Sequence, residues 1–280
     1  MRKFISIFLS LLFCAAVLCA VPASSAETAS IPKVLALNGK DCFEYQYFRK
    51  DKTLTIRNDT DQISYEYLLP LVPSDDISRQ NIMLTCDYRD DCVILALSDL
   101  VRSGIAEHIN TPQAHYDFQR DRKGQVVYGT ETFETDPIPY YFFYDAHGRL
   151  VRILQKLEDS VRTYTYRYRK GALYQIEIRD SSVQKLKLKT DGKGRITSFT
   201  EVDSSGPTRI VQTYAYDTAG RPAEVTYHEE GIGADPVHRS RTQMQYNAQN
   251  QMTGFTFSER DSEGKYDADW TMKISHQTIS

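Results

Sequence analysis

The chain has 280 residues, with 34 lysines and arginines against 37 aspartates and glutamates and a formal net charge of −3. Because nucleic-acid binding draws on a basic surface, this balance argues against nucleic acid as a partner. The sequence also contains no G-x-S-x-G, P-loop or H-E-x-x-H motif, so no class of enzyme is indicated.

The first 26 residues predict a secretory signal peptide. Arg2 and Lys3 precede an apolar run over residues 4–21, and a stretch of small residues ends at Ala26. An uncleaved membrane anchor is the alternative, because the run approaches the length of a spanning helix. The proline and small residues after the run favour cleavage. Loss of Arg2 and Lys3 would take the net charge from −3 to −5 and leave no apolar span, which predicts a periplasmic or secreted protein.

Residues 27–110 predict a β-rich N-terminal cap. The stretch "CFEYQYFRKDKTLTIRND", which begins at Cys42, alternates like a pair of strands, and "ISYEYLLPLV" resembles a further strand that ends at Pro70. Repeat arrays need capping ends, which is the role that this segment suggests.

Three cysteines remain after the predicted cleavage. The stretch "IMLTCDYRDDCVILAL" reads as two strands around a polar loop, which would bring Cys86 and Cys92 together and favours a disulfide in an exported chain. A bridge from Cys42 to either of them is the alternative. The odd count leaves one thiol unpaired within the chain.

A turn motif recurs six times over the rest of the chain, with spacings of 24, 23, 23, 26 and 30 residues. An aspartate or asparagine begins each longer turn, where its side chain can accept hydrogen bonds from the turn backbone. A glycine or asparagine follows three residues later, where a left-handed backbone is expected. The turn residues are Asp121, Gly124, Asp145, Gly148, Gly171 (in a shorter turn), Asp191, Gly194, Asp217, Gly220, Asn247 and Asn250.

The arms between the turns alternate with the period of a strand. In "RTYTYRYRK" the tyrosines share one face, and in "VQKLKLKT" Leu186 and Leu188 oppose the lysines. Residues 111–280 therefore predict an antiparallel meander of β-hairpins, and the whole chain is predicted to be mainly β.

The tyrosine-rich face has two alternative uses. A stripe this long would form a larger apolar patch than soluble monomers expose, which favours a buried core. The alternative is a binding face that stacks on sugars or on partner side chains. Its candidate residues are Tyr164, Tyr166, Tyr168, Tyr214 and Tyr216.

The pattern "YxYDxxGRL", clearest at residues 214–222 and 142–150, resembles the YD repeat of RHS-type proteins. The resemblance covers a little over half of the chain. It implies bacterial surface or toxin-delivery proteins whose repeats form a hollow shell and bind carbohydrates or partners. Neither Asp136 nor Asp235 begins the family's self-cleavage motif, and no toxin domain follows, so a short, repeat-only member is expected. We also expect too few repeats to close a shell.

The histidines are dispersed, without the spacing of metal ligands, so we expect no metal, cofactor or catalytic site. They are His108, His115, His147, His228, His238 and His276. We expect a non-enzymatic, extracytoplasmic binding or interaction module whose partner is a protein or carbohydrate of the cell envelope. The alternatives are an accessory or immunity-type protein of an RHS-like toxin system, and an enzyme whose site is assembled only in three dimensions.

The signal peptide predicts a mature N-terminus at Glu27 or within a few residues of it, because signal peptidase reads the small residues that end at Ala26. Mass spectrometry of the protein from its native host measures this terminus. An intact Met1 in the membrane fraction would show that the segment is an uncleaved anchor.

Overall fold

A computed structural model describes residues 29–58, 65–68, 86–87, 92–96, 104, 106–112, 114–133, 136–193, 195–203, 209–230, 238–260 and 264–279. The predicted signal peptide and Gly194 lie outside these ranges. The strands within them are β1 (Ala29–Leu37), β2 (Lys40–Phe48), β3 (Thr53–Asn58), β4 (Tyr65–Leu68), β5 (Cys86–Asp87), β6 (Cys92–Ala96), β7 (His108–Asn110), β8 (His115–Arg120), β9 (Val126–Phe133), β10 (Asp136–Tyr144), β11 (Leu150–Lys156), β12 (Val161–Arg169), β13 (Ala172–Arg179), β14 (Val183–Thr190), β15 (Ile196–Asp203), β16 (Arg209–Tyr216), β17 (Pro222–Glu230), β18 (His238–Tyr246), β19 (Met252–Arg260) and β20 (Tyr266–Ile279).

Seventeen of the described strands form one closed sheet. β1, β2 and β3 are neighbours, β3 pairs with β7, and β7 to β20 continue in chain order until β20 pairs with β1. The β3–β7 pairing is parallel, whereas the hairpins from β7 to β20 are antiparallel. The fold is mainly β, as predicted, but it is a closed barrel rather than an open meander of hairpins.

The N-terminal strands complete this closure. The segment predicted as a cap supplies β1, β2, β3 and β7 to the same sheet, and β1 lies between β2 and β20. The repeats were expected to be too few to close a shell, and the sheet closes because these N-terminal strands bridge the ends of the repeat array. β4, β5 and β6 form a separate three-stranded sheet.

Alternation along the strands places the core on the inner face of the closed sheet. Leu186 and Leu188 on β14 are 1% and 7% exposed, whereas Lys185 and Lys187 beside them are exposed. Buried side chains of the 17-stranded sheet form one hydrophobic cluster. Burial of this apolar surface is the main stabilising contribution to the fold.

Each longer turn is held by its first side chain. Asp145 Oδ1 accepts hydrogen bonds from the backbone N–H groups of His147 and Arg149 at 2.9 and 3.0 Å, and Arg149 Nε donates to Asp145 Oδ2 at 2.8 Å. Gly148 follows with φ +77°. The same aspartate–arginine pairing recurs at Asp191 with Arg195 and at Asp217 with Arg221.

The turns are linked to one another through tyrosines. The guanidinium of a turn arginine lies over the ring of the tyrosine that precedes the next turn, with separations of 4.7 Å for Arg149–Tyr168, 4.2 Å for Arg195–Tyr216 and 4.5 Å for Arg221–Tyr246. The tyrosine hydroxyl donates to the backbone carbonyl of the residue that follows the arginine, at 2.9 Å to Leu150, 2.8 Å to Ile196 and 2.7 Å to Pro222. Three of the turns are therefore each tied to the turn that follows.

Two departures from the motif keep its geometry. Asn250 takes the place of the turn glycine with φ +62°, a conformation that asparagine tolerates. His276 on β20 takes the place of the linking tyrosine, and its Nε2 donates to the carbonyl of Met252 at 2.7 Å. The last repeat is therefore tied to β20 in the same way as the earlier repeats are tied to each other.

Replacement of Gly124 by valine should cost about 1–3 kcal/mol of unfolding free energy, because its φ of +80° is strained for a β-branched residue. A Cβ at Gly124 meets no atom within 4 Å, so the loss of unfolding free energy would arise from backbone strain alone. Gly124→Asn should cost less. Chemical denaturation gives these values.

Gly192 is the matched control, because it is also a turn glycine with nothing within 4 Å of an added Cβ, but its φ lies outside the left-handed region. Equal losses for Gly192→Val and Gly124→Val would contradict the role of left-handed geometry.

Candidate functional site

The predicted tyrosine binding face is part of the core. Tyr164, Tyr166 and Tyr214 are 6%, 3% and 7% exposed, because alternation directs them into the closed interior. Tyr168 and Tyr216 are partly buried, and their hydroxyls bind backbone carbonyls of the preceding repeat. These five tyrosines therefore do not form an exposed binding face.

A buried polar network crosses the inner face beside these tyrosines. Glu131 accepts hydrogen bonds from the hydroxyls of Tyr116 and Tyr140 at 2.8 and 2.5 Å. Gln155 donates to the Tyr140 oxygen at 2.6 Å and accepts from Tyr164 at 3.1 Å. Burial raises the pKa of the Glu131 carboxyl, although the two tyrosine hydrogen bonds act in the opposite direction. Glu131 is only 8% exposed, so the network joins five strands inside the core and is not accessible to a solvent-borne ligand.

The outer face carries an aromatic patch, which we define as Tyr128, Tyr141 and Phe143 on β9 and β10. Tyr141 and Phe143 are 41% and 36% exposed, while their neighbours Tyr140 and Phe142 are buried. Tyr128 lies opposite Tyr141, and the two rings pack edge to face with centroids 5.3 Å apart.

A cation borders this patch. The Arg152 guanidinium on β11 lies 4.3 Å from the centroid of the Phe143 ring, at the position directly opposite in the strand pairing. The patch was not predicted from the sequence, although the run "YYFFY" over residues 140–144 carries the signal. Alternation must send two of the first four rings to each face of a strand.

A second group on the outer face is the His–Asp cluster, which we define as His108, His115 and Asp117. His108 Nδ1 lies 2.5 Å from Asp117 Oδ1, and His115 Nε2 lies 3.0 Å from Asp117 Oδ2. The hairpin register explains this grouping, since His108 on β7 lies opposite Asp117 on β8. The sequence did not predict it, because the histidine spacing acquires meaning only when the strand pairing is known.

The aromatic patch and the His–Asp cluster share one surface. Asp117 lies opposite Thr130 on β9, and Tyr128 is the next outward residue along that strand. Standard strand spacings place the Asp117 and Tyr128 Cα atoms about 8 Å apart. Carboxylate, imidazole and aromatic groups therefore adjoin over β7 to β10.

The remaining predicted sites lie elsewhere. His147 is exposed in a turn, and the Nδ1 of His228 accepts from Arg239 Nε at 3.1 Å. Cys86 and Cys92 lie on the paired strands β5 and β6, with Cys86 opposite Val93 and Asp87 opposite Cys92. The disulfide stays a prediction, as does the alternative through Cys42, because these side chains lie outside what the structure describes.

No protein-family model matches the chain, and no curated protein matches it. Solved structures give distant likenesses. The Tc holotoxin pore of Photorhabdus luminescens matches over 55% of this chain and 8% of that chain, at 16% identity and a TM-score of 0.34. TcdB2-TccC3 without its hypervariable C-terminal region matches over 60% and 10%, at 15% identity and a TM-score of 0.28.

A porin-like protein from Bacteroides vulgatus is similar over 57% of this chain and 93% of that chain, at 10% identity and a TM-score of 0.35. The chain thus spans a tenth or less of both Tc chains that it matches. Because all three TM-scores are low, the fold is defined by the strand pairings of this chain and not by its similarity to these structures. Among the described residues, no helix is long and apolar enough to cross a membrane.

Truncation of Tyr166 to alanine should cost roughly 3–5 kcal/mol of unfolding free energy, the usual loss for a buried aromatic residue. Tyr166→Phe should be neutral or stabilising, because the buried hydroxyl has no hydrogen-bond partner among the described residues. Urea unfolding measures both values.

Tyr164→Phe is the matched control for the hydroxyl, because it removes the hydrogen bond to Gln155 and should cost about 1 kcal/mol. A loss below about 1 kcal/mol for Tyr166→Ala would be inconsistent with burial of the ring.

Proposed function

We propose that the mature chain is a secreted or periplasmic, non-enzymatic binding module, and that the aromatic patch contacts a protein or carbohydrate of the cell envelope. The observation that carries this proposal is the exposure of Tyr141 and Phe143 on the outer face of the sheet, at 41% and 36%. Exposed neighbouring aromatic rings mark interaction sites more often than scattered apolar residues do.

The patch has the chemistry of a recognition surface. Ring faces of Tyr141 and Phe143 offer flat apolar area to a sugar ring or a partner side chain, and tyrosine adds a hydroxyl for hydrogen bonding. The edge-to-face contact between Tyr128 and Tyr141 limits the freedom of both rings, which lowers the entropy lost on binding. Arg152 adds a positive charge for an anionic group of the partner.

We further propose that the repeats are YD repeats of the RHS kind. The recurring contacts support this proposal, since they give the tyrosine, the aspartate and the arginine of the "YDxxGR" pattern a physical role. An accessory or immunity-type role in a toxin system stays a hypothesis, which a neighbouring gene for a toxin with the same repeats would favour. An enzyme whose site is assembled only in three dimensions also stays a hypothesis, which an activity assay would test.

The test uses the mature protein and a double variant, Tyr141→Ala with Phe143→Ala, on a glycan array and in a pull-down from the host's envelope fraction. Truncation at the centre of a binding surface costs more than about 1.4 kcal/mol, so we expect at least a tenfold loss of affinity for the captured partner. The melting temperature should change little, because both side chains are exposed.

Phe48→Ala is the matched control. Phe48 is 45% exposed and lies on β2, separated from β9 by β3, β7 and β8. Its truncation should leave binding unchanged. Undiminished binding by a folded Tyr141/Phe143 double variant would exclude the aromatic patch as the contact surface.

A further inference from the structure

We propose that the His–Asp cluster on the β7–β8 hairpin is a binding site for a divalent transition-metal ion of the Zn²⁺ class. The proposal is independent of the function assigned to the aromatic patch. The potential ligand atoms of His108, His115 and Asp117 all lie within 4.8 Å of one another.

The register of the hairpin brings these side chains to one face. His108 is opposite Asp117, and Asn110 is opposite His115. The residues between them point inward, where Ile109 is fully buried and Tyr116 is 2% exposed. The four polar side chains therefore project from the outer face, while their backbone is anchored in the core.

The hairpin holds the cluster on a rigid support. Thr111 closes the turn through three contacts of 2.9 Å with Ala114, in which each residue both donates and accepts. β7 also pairs with β3, and β8 pairs with β9, so neither strand is at an edge of the sheet. Metal sites on rigid strands keep their ligands in place without further ordering.

His115 is oriented through both of its ring nitrogens. Its Nδ1 makes a short hydrogen bond with the side-chain oxygen of Asn110, which can only accept. The Nδ1 atom therefore donates to Asn110, and Nε2 faces Asp117 Oδ2 at 3.0 Å. Both the second imidazole nitrogen and the carboxylate are thereby directed at the same point on the surface, where a metal ion can be bound.

Asn110 thus acts as the outer partner that orients a metal-binding histidine, since such ligands usually hydrogen bond through the second ring nitrogen. The donor set then selects the metal. Two imidazole nitrogens and one carboxylate oxygen suit Zn²⁺ and related ions, whereas Ca²⁺ and Mg²⁺ prefer oxygen ligands throughout.

The spacing of the cluster fits this ion. Ligand bonds of about 2.0–2.2 Å in a tetrahedral site separate the ligand atoms by roughly 3.3 Å. The observed separations of 2.5 and 3.0 Å between the histidine nitrogens and the Asp117 oxygens need to open only slightly. The three side chains are 43%, 44% and 42% exposed, so an ion reaches them from solvent and a fourth position stays open to water or a partner's ligand.

The test is isothermal titration of Zn²⁺ into mature protein that has been freed of metal with a chelator. We expect one high-affinity Zn²⁺ per chain. His115→Ala and Asp117→Asn should each weaken binding at least tenfold, whereas His147→Ala, which removes an exposed histidine from a turn, should leave it unchanged. Circular dichroism of the metal-free variants confirms that each one is folded, and His108→Gln provides a further single variant if either of the others is not.

Co²⁺ as a spectroscopic probe separates this site from the cysteines. Binding through nitrogen and oxygen gives d–d absorption without thiolate-to-metal charge transfer. Absence of Zn²⁺ binding, a thiolate band, or undiminished affinity in folded His115→Ala and Asp117→Asn proteins would each overturn the proposal.

Discussion

The contact between a turn arginine and the tyrosine of the next turn is the interaction on which the repeat array depends. An aspartate fixes the guanidinium, the guanidinium covers the tyrosine ring, and the tyrosine hydroxyl returns to the backbone beside the arginine. A cation–π contact contributes about 0.5–2 kcal/mol and a hydrogen bond about 1 kcal/mol, so each link is modest and the series is substantial. The side chains that form a turn therefore also connect it to its neighbour.

These links lie along one rim of the closed sheet, where the turns that begin with aspartate or asparagine follow β8, β10, β14, β16 and β18. The connections at the opposite rim vary in length, from the two residues 134–135 between β9 and β10 to the seven residues 231–237 between β17 and β18. Loop length costs little free energy, so the array accommodates an irregular period without losing its geometry. This division explains how spacings of 23 to 30 residues can coexist with uniform turn contacts.

The sequence predicted the features that arise from local chemistry. Alternation identified the strands, and the spacing of Asp145 and Gly148 identified their turns, because neighbouring residues decide both. Closure escaped prediction because it depends on β1 meeting β20, whose paired residues Val34 and Ser275 are 241 positions apart. The His–Asp cluster escaped for a related reason, since it depends on the register of β7 against β8. The outward rings at Tyr141 and Phe143 could have been predicted from the same alternation that identified the core.

The pairing of β1 with β20 differs from the hairpins of the repeat array in the distance along the chain between its partners. Hairpins close over short stretches of chain, whereas this pairing must await a contact of long range, and folding slows as such contacts dominate. Until this pairing forms, both strands present unpaired backbone groups that can pair with another chain. At high protein concentration the ring can instead be closed by the β20 of a second molecule, which is the route to a domain-swapped dimer.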